Sequence, residues 1–377
     1  MKRYLWFLFI YLCVFQKLCA QESFDQPVPR GYSNISLPSN KERGLVEQQF
    51  KGSYRISSGL PLNYVKDGSV DYTSFVQEAL DKHSKVVFPE FPVLINENGL
   101  TIRSNSKLYF PLGSKLFLNP NNKGAYEILR IHKVKNIILY YPVIVGDRKR
   151  HSDKGGEWGM GLSIRDAENI IVQKPRIDDC WGDGIYLGQI SSPNRNIQII
   201  KPFLNNNRRN GISIISVNGL KIDNAVISNT NGTSPMAGID FEPNSNDDVI
   251  DSILIDKLIT FNNGFHGILF ALGAQSGKVQ RNINIKINNP IDERSGYGIS
   301  FKLQQFATMP FTPNGLIEIN NPVFKNNKIK PLLFYPGNLD NSVKVIISNP
   351  NIMDVKSDQL LKIKNELKNN NKNILLK

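Results

Sequence analysis

The sequence has only three cysteines in 377 residues, and Cys13 and Cys19 fall within the first twenty. A chain left with Cys180 alone cannot form an internal disulfide, so a folded core must hold it. Long apolar runs are also missing after the N-terminus, so no membrane span is expected. The 28 glycines have no collagen period. Zinc-ligand spacing, a phosphate loop, a dinucleotide fingerprint and a Gly-x-Ser-x-Gly elbow are absent. Nucleic acid is not an expected partner, and no cofactor is required by any motif.

The first residues read as a leader. A basic start, Lys2-Arg3, precedes the apolar run Tyr4 to Phe15, which is too short for a bilayer. Ala20 offers a cleavage site before Gln21, giving a signal peptide over 1–20. A lipoprotein would need a small residue before Cys19, and Leu18 stands there. Removing 1–20 takes away Lys2, Arg3 and Lys17 and no acid, so the net charge of +13 becomes +10. An exported protein, secreted or periplasmic, is the expectation. Its basic balance suits an anionic polymer, or merely scatters lysines for solubility.

What the chain does have is an internal repeat. Alternating segments recur at 136–142 (NIILYYP), 169–175 (NIIVQKP) and 196–202 (NIQIIKP), then at 284–290 (NIKINNP), 316–322 (LIEINNP) and 344–350 (KVIISNP). Weaker copies end at Ala225 and Leu258. Each is followed by a polar turn and a Gly-apolar-x-apolar strand starting at Gly161, Gly184, Gly211, Gly238, Gly267 or Gly298. Three of the offsets, from Pro175, Pro202 and Leu258, are nine residues each. A period of two means β-strand, and a 23- to 33-residue repeat of such strands means a solenoid. A parallel β-helix fits: each coil buries one alternating face and pairs its backbone with the next coil. Eight coils at roughly 4.8 Å each make a rod about 40 Å long.

Before the repeats, 71–80 (DYTSFVQEAL) sets Phe75, Val76, Ala79 and Leu80 on one helical face, with Ser74 and Gln77 as a capping box. This helix, near 73–82, would cover the open edge of the first coil. The expected organisation is an N-terminal extension over 21–64, the β-helix with its cap over 65–365, and a Lys/Asn-rich tail over 366–377. Ser357 to Asn369 reads as a last strand or a short helix.

The run Gly68 to Asp71, the helix and Val87-Phe88-Pro89 resemble the N-terminal cap of the pectin-lyase-like right-handed parallel β-helix superfamily. Gly146-Asp147-Arg148, Glu157-Trp158-Gly159, Gly182-Asp183-Gly184 and the 238–243 segment (GIDFEP) resemble features of its bacterial members. The superfamily includes pectate lyases, glycoside hydrolases and tailspike depolymerases. The resemblance implies an all-β, right-handed parallel β-helix acting on a polysaccharide. It leaves the reaction open, because Asp178-Asp179 and Gly264 to Gly267 do not complete the polygalacturonase pattern.

Two turns are lengthened, 146–160 and 229–237, and are expected on one side of the rod, flanking the turns at 178–183 and 205–210. The site is placed there. Alternation puts Tyr186, Ser213, Asp240, Leu269 and Ser300 in one outward column and Arg165, Ile215, Glu242 and Lys302 in the next. Asp240 and Glu242 then share an exposed strand face, about 7 Å apart at the backbone. They are the expected catalytic pair, with Asp183, Asp179 and Glu157 as further acid/base candidates. Asp in these turns serves equally as a turn former, and the Asp240–Glu242 oxygens are alternatively calcium ligands. Trp158 is set to stack on a sugar, and Arg148, Arg208, Arg209, His266 and Lys302 to hold substrate. The expected reaction is glycoside hydrolysis. β-Elimination from a uronate, with one of the adjacent arginines Arg208 and Arg209 assisting a base, is the second reading, and a non-catalytic glycan-binding or surface-structural β-helix the third. A monomer is the default.

Overall fold

The computed structural model describes residues 24–303, 309–335, 342–353, 365 and 373–377. The leader and most of Ser357 to Asn369 lie outside them. The alternating segments do become strands, and each pairs in parallel with its counterpart one repeat away. Among the described residues they build three parallel sheets of twelve, ten and nine strands, the faces of a parallel β-helix. Ile137, Ile170, Ile197 and Leu220 stand in register on the twelve-stranded sheet. Leu162, Ile185, Ile212, Ile239, Ile268 and Ile299 do so on the nine-stranded sheet. The Gly-Ile motif of the sequence is therefore one ladder.

The interior is a continuous apolar column. Phe241, Phe270, Phe301 and Phe334 stack face to face at 4.8, 5.3 and 5.5 Å between centroids. The glycine that opens each strand has a steric reason: a Cβ on Gly211 or Gly238 would lie 2.6 Å from the carbonyl oxygen of the next coil's glycine. The residue before each seventh repeat position adopts a positive φ, from Tyr141 and Lys174 through Asn289, Asn321 and Asn349. Asparagine tolerates that region best. There it also forms a ladder, Asn349 Nδ2 donating to Asn321 Oδ1 at 3.2 Å and Asn321 Nδ2 to Asn289 Oδ1 at 3.1 Å.

Among the described residues three α-helices precede the coils: α1 (Arg30–Ser33), α2 (Asn40–Gln49) and α3 (Thr73–Lys82). Helix α3 caps the rod as expected, burying Val76, Ala79 and Leu80. Its start differs from expectation. Asp71 Oδ1, not Ser74, accepts the Thr73 N–H at 2.8 Å, while Gln77 bonds both ways to the Thr101 backbone. A Ser–Glu capping box does form, at Ser39 and Glu42 of α2. Residues 24–55 run back along the rod. Asn262 Nδ2 donates to the Phe24 carbonyl, Lys174 pairs with Glu42 at 2.7 Å, Phe50 packs on Tyr109 and Tyr140, and Tyr54–Arg55 adds a strand beside Lys85–Val87. Ile374–Leu376 pairs with the strand Ser342–Ser348. No helix among the described residues is long and apolar enough to cross a membrane.

Candidate functional site

The outer face of the nine-stranded sheet carries the chemistry. Its inward positions belong to the core, so the alternate residues face out. Register stacks Ser163, Tyr186, Ser213, Asp240, Leu269 and Ser300 in one outward column, as the alternation requires. A cleft of about 580 Å³ opens on this face, lined among others by Tyr126, Arg130, Trp158, Tyr186, Arg209 and Glu242. Trp158 is half exposed at its rim.

Arg209 organises the site. It springs from the turn before the strand Asn210–Ile214, and its side chain lies almost wholly covered across neighbouring coils. Nη2 is 2.7 Å from Glu242 Oε2, Nη1 is 3.4 Å from Asp183 Oδ2, and Nε is 3.7 Å from Glu157 Oε2. Three acids from three other coils thus converge on one guanidinium. Burial lowers the Arg209 pKa, but Asp183 and Glu242 more than offset this, so its pKa is raised.

A fourth carboxyl, Asp240, lies in this cluster and departs from expectation. Alternation sends it outward, but it is fully buried instead of exposed. Strand parity reports which side of a sheet a residue leaves from, not what covers it; here Arg209, from the coil before, crosses that column to reach Ser213 and Glu242. Asp240 Oδ2 accepts from Asn210 Nδ2 at 3.1 Å. Burial first, and then the charge of Glu242, holds the Asp240 carboxyl well above the usual range. Asp183 is equally buried. Its Oδ1 accepts the Asn210 N–H at 3.0 Å and its Oδ2 the Ser213 hydroxyl at 2.8 Å. Burial pushes its pKa to about 6 against the opposing pull of Arg209. Glu242 and Glu157 keep more than a third of their side-chain surface open, so they are the cluster's solvent-facing acids.

The two long loops do lie on one side, over the turns at 178–183 and 205–210. They do not wall an open groove there; they meet. Arg148 donates to the Asn206 carbonyl at 2.8 Å and to Asn231 Oδ1 at 2.9 Å. Arg208 donates to the Gly156 carbonyl at 2.7 Å and sits 3.9 Å above the Trp181 ring. Trp181 stacks in turn on His151 at 4.0 Å. Arg148 and Arg208 are therefore spent inside the loops rather than presented to the cleft. Asp179 is a turn residue with φ 58°, holding Asn206 Nδ2 and Lys149. Cys180 is a buried core thiol.

His266 and Lys302 stand on the same outer face, one and two coils beyond Asp240. His266 is buried, its Nδ1 is 2.8 Å from Ser300 Oγ, and burial lowers its pKa to about 4, so it is neutral. Lys302 is exposed. The sequence reading missed Glu127, whose carboxylate meets Arg165 at 3.1 Å and Ser163 at 2.8 Å beside His132. Its strand, 125–132 (AYEILRIH), alternates visibly but comes before the first copy of the repeat.

No family model matches the chain. Two curated relatives from Bacillus subtilis (strain 168) match in part. The SPbeta prophage-derived protein YorA is 28% identical over 162 residues, which is 38% of this chain and 28% of YorA. The protein YclG is 25% identical over 217 residues, 49% of this chain and 37% of YclG. The chain thus spans well under half the length of either. Among solved structures, an endo-xylogalacturonan hydrolase from Aspergillus tubingensis aligns with a TM-score of 0.57 at 14% identity, covering 77% of this chain and 84% of the hydrolase. A tailspike protein double mutant of E. coli bacteriophage HK620 gives 0.58 at 13%, covering 81% and 58%. An iota-carrageenase from A. fortis gives 0.54 at 12%, covering 72% and 71%. These likenesses show a shared fold: the chain is a parallel β-helix of the kind found in carrageenases, tailspikes and xylogalacturonan hydrolase, with no single family assignable.

Proposed function

We propose that this protein is an exported glycoside hydrolase that cleaves a polysaccharide laid along the outer face of the nine-stranded sheet. The observation that carries the reading is Arg209 gathering Asp183, Glu242 and Glu157 at the lip of a cleft with Trp158 on its rim. Glu242 and Glu157 share one guanidinium, so their carboxyl groups lie no farther apart than the roughly 9.5 Å upper limit of glycosidase acid pairs. Glu242 accepts from Arg209 and stays open to the cleft, which suits it as the base or nucleophile. Glu157, beside Trp158, is the partner acid. Asp240 and Asp183 lie beneath and act through their neighbours. Arg209 takes the place of a cation among these carboxylates, so we propose no calcium requirement. The similarity in fold to proteins named as polysaccharide hydrolases supports this reading.

Elimination is the weaker reading, because Arg209 is held protonated by two acids and Arg208 is bound to backbone carbonyls, so neither is a base. The test is turnover on iota-carrageenan, polygalacturonate and a neutral xylan. New reducing ends without ultraviolet absorbance from an unsaturated product support hydrolysis, and loss of them in Glu242→Gln ties them to this site. An unsaturated product would show a lyase; no turnover and no binding of any of the three would sink the carbohydrate reading for these substrates.

A further inference from the structure

We infer that Asp147 is a positioning residue: from beneath the 146–160 loop it holds Glu157 and Trp158 in place. The inference rests on the hydrolase reading, which takes Glu157 as the acid. Asp147 is fully buried and has no part in that reading. Its carboxylate is wholly engaged. Oδ1 accepts the Tyr126 hydroxyl. Oδ2 accepts the Asn121 N–H at 3.1 Å and Asn121 Nδ2 at 3.0 Å, and lies 2.8 Å from Nδ1 of His151. A carboxylate accepts, so the His151 ring hydrogen is on Nδ1. Nε2 is buried with no partner among the described residues, so the polar tie that orients this ring is the one to Asp147.

Two arms lead from this carboxylate toward the acid. The first is Tyr126, whose ring lies against Gly159: a Cβ there would sit 2.5 Å from Tyr126 Cζ. Trp158 and Gly159 pair with Ala125 and Tyr126, so this arm sets the strand that starts at Trp158. The second is His151, whose ring stacks on Trp181 at 4.0 Å. Trp181 Nε1 donates in turn to the Gly155 carbonyl at 3.0 Å, two residues before Glu157. Arg208 packs on the same indole and takes the Gly156 carbonyl. The Glu157 backbone itself lies against Gly182, where a Cβ would come 2.3 Å from the Glu157 carbonyl oxygen. The chain is thus fixed on both sides of Glu157, and its side chain is left to meet Arg209. Taking the charge from Asp147 loosens both arms at once.

The test compares wild type, Asp147→Asn and Glu157→Gln on two substrates: the polymer that wild type hydrolyses, and the dinitrophenyl glycoside of the shortest oligosaccharide it releases. Dinitrophenolate departs without a proton from the enzyme, so only the polymer needs a well-placed acid. Glu157→Gln sets that pattern. In Asp147→Asn, kcat/KM on the polymer should fall about 10²-fold, the cost of a misplacement of about 1 Å, and fall little on the glycoside. Equal falls on both substrates would make Asp147 a folding residue only, and an unchanged value on the polymer would leave it without a role. Either result overturns the inference while the hydrolase reading stands. If Asp147→Asn does not fold, Tyr126→Phe and His151→Leu, which each remove one arm, are read on the same two substrates by the same criteria. If wild type turns over no polymer, or Glu157→Gln keeps its rate, the parent assignment fails, and amide hydrogen exchange decides this one. Faster exchange in the variant confined to 151–159 supports the positioning; wild-type exchange there, or faster exchange throughout the rod, overturns it.

Discussion

Arg209 Nη2 lies 2.7 Å from Glu242 Oε2 while Nη1 of the same guanidinium lies 3.4 Å from Asp183 Oδ2, so one side chain joins a cleft-facing acid to a buried one. Removing Glu242 and removing Arg209 should therefore have opposite effects on stability. Glu242→Gln relieves like-charge crowding and leaves Arg209 facing Asp183. Turnover should fall about 10²-fold or more, with the melting temperature unchanged or raised. Arg209→Met leaves Asp183 facing Glu242 with no cation. At pH 8 it should cost about 3 kcal/mol or more, and less at pH 5, where Asp183 is protonated. Paired melting curves at the two pH values check this; equal losses at both would refute it.

Burial and the nearby charge of Glu242 raise the Asp240 pKa well above the ordinary carboxylate range. Asp240→Asn keeps the shape and the Asn210 contact but removes the transferable proton. The expected outcome is a large fall in kcat with KM little changed, and a loss of the alkaline limb of the pH–rate profile. A changed KM with an unaltered profile would make Asp240 a packing residue only.

Asp292 gives the rod its own pH dependence, away from the cleft. It points into the core beside Thr260, Ser295 and Asn327, and burial pushes its pKa up to about 7. A folded pKa raised above the unfolded value stabilises fully below the unfolded pKa, and that stability is lost as pH rises through the folded one. Asp183, raised to about 6, acts in the same direction. His266, lowered to about 4, opposes them at pH 5, but Asp178, also raised to about 7, adds to Asp183 and Asp292, so the protein should melt higher at pH 5 than at pH 8. Asp292→Asn mimics the protonated acid and should remove part of that difference, a few kcal/mol at most. A melting temperature that rises from pH 5 to pH 8 would contradict both shifts.

The fold was legible because a solenoid writes its register into the sequence. Ile185, Ile212, Ile239, Ile268 and Ile299 recur 27 to 31 residues apart, each behind a glycine, since each must fall on the last. Residues 24–55 were not legible. Their contacts, such as Glu42 to Lys174 132 residues away, follow no repeat. The site was half legible for a related reason. Alternation placed Asp240 and Glu242 on the correct face, but cover depends on long side chains arriving from other coils, and no period records where Arg209 points. Arg208 and Arg209 are adjacent in sequence and alike in charge, yet Arg209 enters the cleft and Arg208 locks the loops.

That last contrast gives a direct test of the two arginines. Arg208 bonds the Gly156 and Lys154 carbonyls and covers Trp181, while Arg148 bonds Asn206 and Asn231; together they tie 146–157 to 229–237. A guanidinium that meets several carbonyls and a ring is not replaced by an ammonium. Arg208→Lys and Arg148→Lys should each lower the melting temperature by several degrees and increase proteolysis within 146–157. Because Glu157 and Trp158 hang from that loop, kcat/KM should fall, but by a similar factor on charged and neutral glycans. Had either arginine read an anionic group on the substrate, as its position in a basic loop suggests, the loss would be confined to the charged polymer and the melting curve would not move. Limited proteolysis beside kcat/KM on the two substrates separates these outcomes.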